Sequence, residues 1–200
     1  MEFLDFIKQR WNIVLGISLA IVTVIAEFVV RPQISYSFPV GQVNYDSLAK
    51  FVVAGCILIL LVPCSIYKGK KYIWHWWVLA IVTFVTAIVL FFYYNKAVNR
   101  VTAYNEYAGE RFIIGETLTS KAQEAVNVAK EREGIELSAS DMLETLGRPR
   151  DIWRADELES NSRYVIALYL TTLVSFAIFV LFSIQAVYCT TLKEREPAYA

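Results

Sequence analysis

The sequence predicts an all-α membrane protein: four transmembrane helices, with a small, mainly helical extramembrane insertion between the third and the fourth. Three observations carry this. Hydrophobic residues make up 56% of the chain against 19% charged, and they stand in blocks rather than interleaved as in a soluble core. Four blocks, Asn12 to Val30, Leu48 to Tyr67, Ile73 to Tyr94 and Tyr164 to Cys189, approach or exceed the ~20 residues that cross ~30 Å of hydrocarbon as a helix. Of the linkers between them, only the polar stretch from Asn95 to Arg163 is long enough to fold. The expected organisation is therefore 1–95 for the first three helices, 96–163 for the insertion, and 164–200 for the fourth helix and a short tail.

Composition narrows the function. Nineteen basic residues balance nineteen acidic ones, so no global field favours nucleic acid as a partner. A single histidine, His75, has no second ligand nearby, and neither a metal nor a cofactor is expected. Cys56, Cys64 and Cys189 all lie in apolar runs and are silent about redox compartment.

The first run follows Lys8 and Arg10 without a convincing small-residue cleavage site, which reads as an uncleaved signal-anchor. Gly16 and Ala20 give it a small-xxx-small spacing suited to close helix contact. Glu27 and Arg31, four residues apart, share a helix face near its end. They read as an interfacial ion pair, with an ion or proton site as the competing interpretation.

The second run contains Pro63, which removes a backbone donor and kinks or loosens the helix there. It leads into YKGKK, where Lys68, Lys70 and Lys71 form a basic turn suited to lipid headgroups. Tyr72, Trp74, Trp76 and Trp77 follow as an aromatic belt at the start of the third run.

In the insertion, Gly109 and Gly115 bracket Phe112, Ile113 and Ile114 as a short extended piece or turn. Thr119 or Ser120 then caps a helix with Ala122, Ala125, Val126 and Ala129 on one face and a stop at Gly134. A second short helix starts at Ser138 with Asp141 three residues on, a capping-box pattern, and ends at Gly147 and Pro149. Leu146, Ile152 and Trp153 are expected to dock these helices on each other and on the membrane surface or bundle mouth, with Trp153 as anchor. Glu106, Glu110 and Glu116, and the run Asp156, Glu157 and Glu159, read as solvated acidic faces rather than paired acids, because nothing apolar surrounds them. No catalytic constellation is present in this reading, so the protein is expected not to be an enzyme.

Along the fourth run Ala167, Thr171 and Ser175 recur every fourth residue, a pattern that lets helices approach closely, within one bundle or between subunits. Orientation follows the cationic short segments: Lys8, Arg10, Lys68, Lys70, Lys71, Lys193 and Arg195 all fall on one side. That pattern predicts an inner-membrane, multi-pass protein with both termini cytoplasmic and 96–163 extracytoplasmic.

The order GERFIIGETLTSKAQ, DMLETLGRPRDIW and NSR directly before the last span, over residues 109 to 189, resembles the four-helix membrane modules that accompany bacterial antiviral defence effectors. These include membrane accessory proteins of CRISPR systems and membrane tails joined to caspase-like or TIR-like domains. The resemblance implies a homo-oligomer in the bilayer that perturbs or gates the membrane when a cytoplasmic effector or sensor protein signals, and it assigns no functional residue. Two other readings stand beside it: a non-conducting scaffold or regulatory subunit of a larger membrane complex, and a small transporter or channel using Glu27.

Overall fold

The protein is described from a computed structural model, which covers residues 45–67, 69–134 and 137–191. These residues are mostly helical, and two of the helices are long and apolar enough to cross a membrane. The predicted first span lies outside the described residues, and with it Gly16, Ala20, Glu27 and Arg31; so does Lys68.

In chain order the elements are α1 (Tyr45–Ile66), a 3-10 turn (Lys70–Tyr72), α2 (Ile73–Val101), β1 (Thr102–Asn105), β2 (Glu110–Ile113), α3 (Ser120–Glu133), α4 (Ala139–Leu146), α5 (Pro149–Ile152) and α6 (Ala155–Thr191). At 1.5 Å per residue, the 29 residues of α2 and the 37 of α6 run about 43 and 55 Å, well beyond the ~30 Å of a hydrocarbon core.

Both long helices exceed the apolar runs that announced them. α2 continues past Tyr94 because Tyr94, Ala97 and Val98 keep one buried face at helical spacing. α6 starts before Tyr164 for the same reason, with Ser162, Val165 and Tyr169 buried along one side and Arg163 paired to Glu159 one turn back.

The described residues form two compact units. One comprises 45–91 and 170–191. Its core gathers Cys64, Trp76, Ala80, Phe182, Ala186 and Cys189, so α1, α2 and α6 meet through small residues and two large rings. The Trp76 and Phe182 centroids stand 5.5 Å apart, and those of Phe84 and Phe179 4.8 Å.

The other unit is 92–169. Beside its helices it contains an antiparallel hairpin of β1 and β2, with Thr102 opposite Ile113 and Asn105 opposite Glu110, and the short extended piece expected at Phe112 and Ile113 falls in β2. The turn sets itself locally: Asn105 Oδ1 accepts from Ala108 N–H at 2.9 Å, and Gly109 N–H donates to the Asn105 carbonyl at 3.0 Å. α4 packs against β1, α5 packs against α3 and α4, and together they enclose a core of Ala103, Ala122, Leu143, Ile152 and Trp153.

The two larger helices of this unit begin and end where the sequence signals them. Thr119 caps α3 by accepting from Ala122 N–H, and Gly134 closes it with φ of 65°, a left-handed conformation that L side chains resist. In α4 the capping box is complete: Ser138 Oγ accepts from Asp141 N–H at 3.2 Å, and Asp141 Oδ2 accepts from Ser138 N–H at 2.8 Å. Hydrogen bonds to its carboxylate from the Ser138 hydroxyl first and then from the Ser138 backbone N–H hold the Asp141 carboxyl below its ordinary range.

Candidate functional site

In the 45–91/170–191 unit the informative chemistry lies at the end of α1. A helix leaves its last four carbonyls without internal donors, and in a bilayer each needs a partner from elsewhere. Gln185 on α6 supplies one, its Nε2 donating to the Cys64 carbonyl at 2.8 Å while standing 3.9 Å from Cys189 Sγ. Trp76 supplies another, its indole Nε1 donating to the Tyr67 carbonyl at 2.9 Å. Tyr67 N–H in turn donates to the Pro63 carbonyl at 2.9 Å.

This corrects the aromatic belt at one ring. Trp76 is 5% exposed and belongs to the core, whereas Trp74 is 75% exposed. The reason is the helical period: Trp76 and Ala80 share the face that meets α6, and Trp74 lies off it. Lys70 and Lys71 are exposed on the 3-10 turn, with Lys71 Nζ 4.8 Å from the Tyr72 ring centroid.

The small-residue stripe of the fourth run lies off the face that α6 buries. That face holds Val165, Leu173, Ala177, Phe182, Ala186 and Cys189; Ala167 and Thr171 are exposed, and Ser175 is half-buried with its hydroxyl donating to the Thr171 carbonyl. Hydroxyl back-bonding of this kind satisfies Ser175 within its own helix.

In the 92–169 unit, Ile152 and Trp153 are buried and Leu146 is half-buried beside them, so the three expected docking residues do come together. What they build is the unit's own core. Trp153 is 2% exposed there, packed among the residues of the hairpin, α3 and α4. The backbone on either side is tied down as well. Leu118 and Trp153 form an antiparallel bridge, with Thr119 N–H donating to the Ile152 carbonyl at 2.8 Å and Arg154 N–H to the Thr117 carbonyl at 3.2 Å.

Glu157, in the first turn of α6, does more than face solvent. Its Oε2 accepts from the backbone N–H groups of Glu116 and Thr117 at 2.9 and 2.8 Å, and its Oε1 accepts from the Thr117 hydroxyl. The Thr117 hydroxyl is the main cause holding its carboxyl below the ordinary glutamate range; the two N–H groups and Arg154 add to it. Gly115 makes this approach feasible. A Cβ there would sit 2.8 Å from Glu157 Oε2 and 3.0 Å from Trp153 Cβ. Asn161 completes the fastening, its amide donating to the Ile114 carbonyl at 2.8 Å.

Three more of these acids have ion-pair partners: Asp156 pairs with Arg154 at 2.7 Å, Glu116 with Arg100 at 3.0 Å, and Glu159 with Arg163. Among the described residues no group of three or more His, Cys, Asp and Glu side chains could hold a metal ion. The roles of Glu157, Thr117 and Gln185 were not evident from residue type.

No family model, no curated protein and no solved structure matches this chain.

Proposed function

We propose that the protein is a non-enzymatic, oligomer-prone integral membrane protein with four spans. In this reading it serves as a defence-linked membrane effector or accessory subunit that perturbs or gates the bilayer. One observation carries the membrane reading: the apolar windows of the two long helices are only 17% and 33% buried. A core helix of a soluble protein buries such a window, because exposed apolar area costs about 25 cal/mol per Å² in water. Here Trp74, Ile81, Val82, Val85 and Phe92 all project outward from α2, the arrangement a hydrocarbon solvent favours.

Association through α6 fits the exposure of Ala167 and Thr171 among the described residues, since small and hydroxylated side chains let helices approach closely. The defence link rests on the resemblance of residues 109 to 189. In the same reading the inside-positive pattern assigns both termini to the cytoplasm and 96–163 to the far side.

The test is dye leakage and membrane depolarisation in cells carrying the protein, with and without phage challenge, beside cells lacking it. Leakage on challenge, together with a closed homo-oligomer in mild detergent, supports the effector. Leakage equal to that of cells lacking the protein sinks it, and co-purification with one fixed different protein then favours a scaffold subunit. For sidedness, a cysteine placed at residue 150 in a background without Cys56, Cys64 and Cys189 should be labelled from outside the inner membrane. Labelling only after permeabilisation reverses the topology.

A further inference from the structure

We propose that the C-terminal end of α2 and the strand β2 beside it form a binding site for the headgroup of an anionic phospholipid, built from Lys96, Asn99 and Arg111. The inference rests on the reading that α2 crosses a bilayer. It adds a lipid class and a place on the 92–169 unit.

The first argument is depth, taken along α2 alone. Its apolar part, Ile73 to Tyr94, runs about 33 Å at 1.5 Å per residue, close to the ~30 Å of a hydrocarbon core. Lys96, Asn99 and Arg100 follow about 3 to 9 Å further along the same axis. The headgroup layer beyond the hydrocarbon is about 5–7 Å deep, so these side chains reach it. Tyr93 is 59% exposed at the boundary, the depth at which amphipathic rings settle.

The second argument is charge. Lys96 and Asn99 stand three residues apart and share one helix face. Arg111 of β2 joins them, its Nη1 donating to Asn99 Oδ1 at 3.4 Å. Arg100 has a carboxylate, Glu116 at 3.0 Å, in an exposed pair of the kind that solvent weakens. Lys96 and Arg111 have no ion-pair partner among the described residues. The sequence holds no Asp or Glu from 47 through 105, so neither α2 nor β1 supplies one. Glu110 precedes Arg111 on β2, and strand alternation puts it on the opposite face of the hairpin. Two cations beside each other match a lipid of net negative charge better than a zwitterionic one, whose own cation they repel.

The third argument is that this group is built in advance. A helix C-terminus by itself disfavours an anion, but the end of α2 already has donors on its carbonyls. Thr102 Oγ1 donates to the Val98 carbonyl at 2.7 Å, and Ile114 N–H to the Val101 carbonyl at 2.9 Å. Arg111 sits on a paired strand opposite Tyr104 and is tied to Asn99, so little order remains to be gained on binding.

The experiment uses the full chain in bilayers with two probes, phosphatidylglycerol and phosphatidylcholine, each carrying the same photoreactive group near its headgroup. Adducts are located by mass spectrometry. On residues 92–111, wild type should favour phosphatidylglycerol, and Lys96→Gln/Arg111→Gln should lower that ratio by on the order of fivefold per cation. Lys96→Arg/Arg111→Lys should keep most of it. Asn99→Leu, which frees Arg111 without changing charge, should lower it, whereas Arg148→Gln/Arg150→Gln, an equal loss of charge in the same unit, should not. Equal labelling of 92–111 by the two probes in wild type overturns the proposal. The same fall in both glutamine double variants also overturns it, since it would show a diffuse field and no local site. Displacement by inorganic phosphate beyond that by chloride at equal ionic strength removes lipid as the occupant. Alkaline carbonate extraction separates the two levels: protein released from membranes removes the membrane reading itself, whereas protein retained without lipid preference removes only the headgroup site.

Discussion

The side-chain amide of Gln185 donates to the backbone carbonyl of Cys64 across 2.8 Å, joining residues 121 positions apart. The bond connects the C-terminal part of one long apolar helix with the closing turn of another, at a carbonyl the helix itself leaves unsatisfied. Interhelical hydrogen bonds in membranes contribute on average about 0.6 kcal/mol and at most about 1.7. Gln185→Leu should therefore cost about 1 kcal/mol, read as a lowered thermal midpoint in detergent. Gln185→Glu, which keeps the shape and loses the donor when ionised, should cost at least as much. A midpoint unchanged in both variants would show that water or lipid replaces the bond without loss.

Gly115 is the second position where one atom matters. With its Cβ meeting Glu157 Oε2 at 2.8 Å and Trp153 Cβ at 3.0 Å, Gly115→Ala must move either a carboxylate engaged in three hydrogen bonds or the backbone-anchored Trp153. Overpacking of this kind costs about 1–3 kcal/mol. The expected readout is faster proteolysis between 114 and 119, along with a red shift of Trp153 emission in a variant whose other tryptophans are replaced. An alanine protein as resistant as wild type would argue against the close approach.

The Glu157 carboxyl, held below its ordinary range chiefly by the Thr117 hydroxyl, makes the fastening of 116–117 dependent on pH. A lowered folded value means that the ionised form is favoured in the native state. The contribution is thus fully present above the unfolded value of about 4.3 and is lost as pH falls through the lower folded value. Hydrogen-exchange protection of the Glu116 and Thr117 amides should hold down to mildly acid pH and disappear in strong acid. In Glu157→Gln, protection at both amides should be reduced at neutral pH and should no longer follow acidification. Equal pH profiles in the two proteins would remove Glu157 as the cause.

The same residues show how far the sequence could be read. Thr119, Gly134, Ser138 with Asp141, and Gly147 mark helix ends by local chemistry that needs no tertiary partner, and the observed α3 and α4 begin and end on them. Long apolar runs likewise reported α2 and α6, but only their apolar parts. The extensions to Val101 and back to Ala155 carry a helical period among polar residues, which block hydropathy does not register. Trp76 and Trp74 are two positions apart with the same side chain, and only the packing of α6 makes one a core ring and the other an outward one. Glu157 and Thr117 are forty positions apart, so their pairing exists only once the hairpin and α6 are assembled.

The core of the 92–169 unit concentrates its stability in few residues. Of the five buried side chains in its cluster, two are alanines, leaving Leu143, Ile152 and Trp153 as the large buried contributors. Trp153 also carries the backbone bridge to Leu118, so its side chain and main chain fasten the same place. Truncating a buried tryptophan costs about 3–5 kcal/mol, and domains are held by only about 5–15. Trp153→Ala should therefore unfold much of this unit, read as loss of hairpin amide protection and cleavage within 102–152. The two apolar helical segments of the other unit draw on separate contacts such as Trp76 with Phe182, and should still insert and resist protease in membranes. Trp153→Phe, which keeps most of the buried area, should retain the protected pattern. A Trp153→Ala protein with wild-type hairpin protection would mean that the unit's stability comes from contacts other than this core.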